Sequence, residues 1–258
     1  MNSFYRRVAQ GSGLLALVLG LTAVPAAADD AALQGRIEAR LKKAKIEREG
    51  DVSVEVKGGR AVLTGAVTNL QVQRSAEKAA RKEVKDVDNR IRVAAEVRPD
   101  ADIRNDVTEA ILRYPWYSIF DSVEMGVEDG VVVLKGSVNQ PYRKSDIEDR
   151  VARVAGLREL KSDIRVQPVS TFDDRLRRQI AYAIYADERF IQYANRANPP
   201  IRIIVDRGNV TLTGYVSSRV EQVILGHIAR GTLAFAVDNK VQVDGDTPKE
   251  PTKSTSQS

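Results

Sequence analysis

The stretch VEVKGGRAVLTGAV, Val54 to Val67, decides how the rest of the chain is read. Val54 and Val56 alternate with Glu55 and Lys57, the period of a strand with one buried face. Gly58 and Gly59 tolerate positive φ, and a second apolar run follows with Leu63 and Gly65, so the two runs form a β-hairpin. The pattern occurs twice more without a gap, as MGVEDGVVVLKGSV (Met125 to Val138) and IIVDRGNVTLTGYV (Ile203 to Val216). Gly59, Gly130 and Gly208 coincide, as do Gly65, Gly136 and Gly214, with Leu63, Leu134 and Leu212 between them. From Gly65 to Gly136 is 71 residues and from Gly136 to Gly214 is 78, so the chain repeats a unit near the low end of domain size.

Outward from each hairpin the copies continue to match. Upstream, Leu33, Ile37 and Leu41 correspond to Ile103, Val107 and Ile111 and to Leu176, Ile180 and Ile184, and spacing by four places each set on one helical face. Downstream lies a second helical segment: Ala76, Ala80 and Val84; Ile147, Val151 and Val154; Val220, Val223, Ile224 and Ile228. A closing strand follows, read at Ile91–Val93, Ile164–Val166 and Val241–Val243. The predicted fold is α+β: three tandem modules of α-β-β-α-β order, each a three-stranded mixed sheet with two helices on one face. The expected boundaries are 29–98, 99–170 and 171–246, preceded by an export segment at 1–28 and followed by a disordered tail at 247–258.

These motifs resemble the BON domain, a family of bacterial envelope modules. The resemblance rests on the apolar strand, the glycine turn, the leucine before a second glycine with valine two residues on, and a closing valine-asparagine turn into the last strand. Val87-Asp88-Asn89 and Val237-Asp238-Asn239 carry that closing element, and Leu160-Lys161-Ser162 is a looser copy. Membership implies a non-enzymatic exported protein, similar to osmotically inducible periplasmic proteins whose modules are thought to contact phospholipid.

The first residues agree with export. Arg6 and Arg7 precede the apolar run Leu14–Val24, and Ala26-x-Ala28 offers the small side chains of a cleavage site, so a periplasmic mature chain starting at Asp29 is expected. Without cysteine there is no disulfide, thiol nucleophile or lipid-bearing cleavage site. Removing the segment leaves a formal charge of +3 over 230 residues, too small a balance to imply nucleic acid.

Residues with the spacing of a catalytic site are missing. His227 is the only histidine and is expected to be an ordinary, partly buried side chain. No nucleophile elbow, zinc motif or phosphate loop occurs, and the recurrent glycines sit between strands, so no catalytic residue, metal ligand or cofactor is expected.

Charge and aromatic residues are the remaining signals. The first module holds sixteen basic and twelve acidic side chains, while the second and third come to −3 and +1. Arg74, Lys78, Lys82 and Lys85, with Arg81 beside them, form a basic stripe at helical spacing, and Arg40, Lys42, Lys43 and Lys45 cluster at the end of the first helix. Such a stripe either holds anionic lipid headgroups or is a solvated helix face. In YPWYSIF, Tyr114 to Phe120, four of the chain's fourteen aromatics gather in the link between a helix and a strand. Tyr114, Trp116, Tyr117 and Phe120 either cover the module's open core or form a contact surface; the expectation is that Trp116 and Phe120 cover it. Two functions fit: binding to anionic phospholipid surfaces or envelope components, or a periplasmic protein-interaction scaffold or stress chaperone without lipid.

Overall fold

The computed structural model describes residues 26–94 and 96–244. The expected tail, and the expected export segment up to Pro25, lie outside them. The first module is α1 (Ala26–Lys43), β1 (Gly50–Lys57), β2 (Arg60–Val67), α2 (Leu70–Ala80) and β3 (Val87–Val93). The second is α3 (Asp100–Leu112), β4 (Ser122–Glu128), β5 (Val131–Val138), α4 (Pro141–Val151) and β6 (Glu159–Val166). In the third, α5 (Thr171–Tyr185) and the short α6 (Ile191–Ala194) precede β7 (Arg202–Asp206), β8 (Asn209–Thr213) and β9 (Tyr215–Val216); α7 (Arg219–Arg230), β10 (Ala236–Asn239) and β11 (Gln242–Val243) complete it.

In every module the middle strand pairs antiparallel with its hairpin partner and parallel with the closing strand. The register repeats: Leu63, Leu134 and Leu212 lie opposite Val54, Met125 and Ile203 on one side and Asn89, Ser162 and Asn239 on the other. All three leucines are fully buried beneath the helices, whose stripes Ile37/Leu41, Ile103/Val107/Ile111 and Leu176/Ile180/Ile184 supply the facing layer. The helices thus cover one face of each sheet. No described helix is long and apolar enough to cross a membrane.

One device joins the layers in all three modules and was not foreseen. The carboxylate of Asp30, at the start of α1, accepts from the amides of Gly58 and Gly59 at 2.6 and 2.8 Å. Asp100 takes the amides of Asp129 and Gly130 at 2.8 and 2.9 Å, and the wholly buried Asp173 those of Arg207 and Gly208 at 2.9 and 2.8 Å. The amides of Gly130 and Asp129 hold the Asp100 carboxyl below the usual carboxylate range. A charged acceptor bridging both turn amides fixes the hairpin tip to the first helix.

The second glycine of each hairpin has a steric reason. At Gly136, φ is 129° and a Cβ would stand 2.1 Å from the Ser122 carbonyl oxygen; Gly65 and Gly214 face Asp51 and Pro200 oxygens at 2.0 and 1.8 Å.

Local expectations are corrected at several points. The closing strands begin earlier than read, so Val87-Asp88-Asn89 and Val237-Asp238-Asn239 lie within strands and are not turns. The asparagines bridge strand to helix: Asn89 donates to Glu77 and Asn239 to the Gln222 carbonyl, while each side-chain oxygen accepts an amide two residues on. Ser162 is too short to do this, and its buried hydroxyl has no partner. In α7 the core is met by Leu225 and Ala229, with the expected Ile224 and Ile228 packed against it, whereas Val220 and Val223 are 67% and 47% exposed. His227 is likewise exposed, because it shares their side of the helix.

Candidate functional site: a cationic groove and the links between modules

Helices α1 and α2 run side by side on the first sheet, with small residues Ala44 and Ala79 between them. Their approach leaves a groove of about 300 Å³ lined by Arg40, Lys43, Ser75, Lys78 and Lys82. Arg40 and Arg36 both bind Glu83, Arg36 at 3.0 Å, and the hydrogen bonds from Arg40 and Arg36 lower the pKa of that carboxyl. Among the described residues Lys43, Lys78 and Lys82 form no ion pair, so the groove keeps a net positive field.

Of the five stripe residues, only Lys78 and Lys82 line this groove. Helix α2 ends at Ala80, so helical spacing does not extend to Lys85. Arg81 turns back to Glu77 at 2.7 Å and to the Lys85 carbonyl at 3.2 Å. Arg74 points to the second module and donates to the Leu160 carbonyl at 3.0 Å. Lys43 and Arg40 belong to the separate cluster noted at the end of α1; that the two clusters meet follows from helix packing and has no signal in either segment alone.

The aromatic link divides its residues among three environments. Tyr114 is buried in the second module's core, its hydroxyl 2.5 Å from Asp146 and its ring under Arg150; burial, then the Asp146 carboxylate, pushes its pKa up. Tyr117 packs partly on that core, and its hydroxyl accepts from the Val123 amide at 3.1 Å. Ile119 and Phe120 pack instead against the core of the third module. Trp116 does not cover the core: it is 63% exposed, because the turn at 114–117 places Tyr114 inward and its neighbours outward.

This link is also the seam between the second and third modules. The Ile203 amide donates to the Ile119 carbonyl at 2.7 Å, and Arg202 donates to the Ser118 carbonyl at 3.0 Å. Asp121, with no exposed surface, accepts from the Ser118 amide and hydroxyl, the Asn139 amide and Arg143, the last at 2.6 Å. Buried Arg177 of α5 donates to Gln167 and to the Val205 carbonyl, at 2.8 and 2.6 Å, and Gln167 reaches the Phe120 carbonyl. No residue grouping among the described residues has the composition of a metal site.

Comparison with curated proteins finds no match. Among solved structures the chain is similar to CdsD, named as the structural protein of the type III secretion system of Chlamydia trachomatis. Its C-terminal domain matches at 16% identity with a TM-score of 0.25, over 82% of this chain and 96% of that one. A second CdsD structure matches at 16% identity and a TM-score of 0.24, over 82% and 92%. The model of the BON domain matches residues 29–95, 99–168 and 173–245, one stretch for each hairpin, sheet and helix pair described above, and on that match the chain belongs to the BON-domain family.

Proposed function

We propose that this chain is an exported, non-catalytic envelope protein that docks on anionic phospholipid surfaces through the groove between α1 and α2. The observation that carries the reading is the convergence of Lys43, Lys78 and Lys82 on one groove without acidic partners. Each basic residue held near an anionic membrane surface gains about 1 kcal/mol. The periplasmic location rests on the leader-like first 28 residues and on the BON modules.

The test is sedimentation of the chain from Asp29 with phosphatidylglycerol and with phosphatidylcholine vesicles. Binding should be confined to the anionic vesicles and should fade as the Debye length shrinks from about 10 Å at 0.1 M salt to about 3 Å at 1 M. Changing Lys43, Lys78 and Lys82 together to glutamine should abolish it. Undiminished binding by that variant overturns the reading.

A second reading has its own observation. Val220 and Val223 at the start of α7, and Leu233 and Phe235 after its end, are exposed apolar side chains of the kind a protein partner covers. Association that persists at 1 M salt and is lost in Val223→Asp favours this scaffold role.

A further inference from the structure

Three arginines are buried, or nearly so, at the seam between the second and third modules, and one of them differs from the others. Arg143 meets the carboxylate of Asp121 at 2.6 Å, and Arg177 meets that of Asp174 at 2.5 Å. Arg202 is only 8% exposed, yet among the described residues it forms no ion pair. Its side chain donates one hydrogen bond, to the Ser118 carbonyl at 3.0 Å, and lies over the ring of Tyr117, whose centre is 4.6 Å from the guanidinium carbon. A guanidinium carries five N–H donors, and none of those left over on Arg202 is both buried and without a partner, so they open onto the space beside it.

The side chain borders a cavity of about 480 Å³ between the two modules. The charged residues on its wall are Arg202, Lys240 and Glu124; Lys240 also reaches Asp238 at 3.1 Å. Their formal sum is a single positive charge. Thr213 and Gln242 add uncharged hydrogen-bonding groups, and Tyr117 adds a flat apolar wall. Clefts between domains with a few convergent polar groups are where small ligands bind.

We infer that this cleft is a binding site for a carboxylate-bearing small molecule, with the Arg202 guanidinium receiving the carboxylate and Gln242 and Thr213 the polar groups beside it. The fork of the guanidinium matches two carboxylate oxygens. The single net charge of the wall suits a monoanion better than a phosphate dianion, which Glu124 would repel.

The full mature chain, labelled with nitrogen-15, is titrated with N-acetyl-L-alanine, its uncharged amide, acetate and inorganic phosphate. The acid should move the amide resonances of Tyr117, Ser122, Thr213 and Gln242 saturably. Its amide should bind about tenfold more weakly, the loss expected for one charge-assisted contact. Acetate binding as tightly as the acid assigns the site to small organic acids, and weaker acetate binding assigns it to peptide carboxylates; both uphold the inference. Equal response to acid and amide, tighter binding of phosphate, shifts confined to other surfaces, or no response overturns it. Arg202→Met should lose the response, and because it also removes the hydrogen bond to the Ser118 carbonyl, its melting is measured beside the titration. Because the titration of the unaltered chain decides the matter, a variant that fails to fold does not protect the inference.

Discussion

The first and second modules meet in one way, and the second and third in another, although the modules share a fold. At the first junction the beginning of α2 does the joining: Leu70 is buried in the second module's core, the Gln71 amide donates to the Ala152 carbonyl at 3.0 Å, and Arg74 reaches Leu160. At the second junction α4 takes no such part, and its Tyr142, which corresponds to Gln71, is exposed. The link 114–121 and the edge of the third sheet make the contact instead: the Ile203 amide donates to the Ile119 carbonyl, Arg202 to the Ser118 carbonyl and Arg177 to Gln167, while Asp121 and Arg143 brace the link within the second module. Repetition of a fold therefore does not repeat its interfaces.

Loss of the buried carboxylate that braces the link at the second junction should do the most damage. Asp121→Ala strands Arg143 and the amides of Ser118 and Asn139, and breaking a buried pair in this way costs about 3–5 kcal/mol. Urea unfolding followed through Trp116, the only tryptophan, should show this loss, since Trp116 lies in the same link. A loss under about 1 kcal/mol would mean that this buried pair does not brace the link. The apolar junction should yield next. Leu70→Ala removes a buried leucine from the neighbouring module's core, and about 2–5 kcal/mol is expected. If the second module unfolds at its parental urea midpoint in that variant, Leu70 serves only the first module and the contrast between the junctions weakens.

Arg74→Met should cost about 1 kcal/mol, the net value of one hydrogen bond, and should loosen the first junction alone. The smallest effect is expected from acid acting on what the modules share. The folded pKa of Asp100 is depressed, so its contribution is present above the unfolded value of about 3.9 and is lost as the pH falls through the folded one. Asp100→Asn should remove that part of the acid dependence; an identical acid profile for variant and parent would show that the turn clamp contributes nothing.

Much of the module was legible in the chain. The gapless hairpins, the leucines and the glycines marked the strands and the turns between them, because alternation and turn chemistry act within a few residues. The α1, α3 and α5 stripes were read correctly for the same reason. The asparagine of the closing strand was misread as a turn, since Asn favours turns locally and only the helix above it supplies the Glu77 and Gln222 partners. The carboxylate clamps were missed because Asp30, Asp100 and Asp173 lie 28 to 35 residues from the amides they bind.

The candidate sites were less legible. Lys78 and Lys82 were named from spacing, but Arg74 and Arg81 carry the same charge and are engaged elsewhere. Likewise the link YPWYSIF announced a special segment without announcing its purpose. Tyr114 turned inward, Trp116 outward and Phe120 toward another module. The sequence by itself determined three modules, the order of their elements along the chain and the buried face of each first helix, because those follow from local periodicity repeated three times. Only the tertiary structure decided which charges remain free, where the aromatic link packs and that Arg202 is buried without a counter-charge. Those properties depend on which surface of one module covers another, and no period within a single segment encodes that.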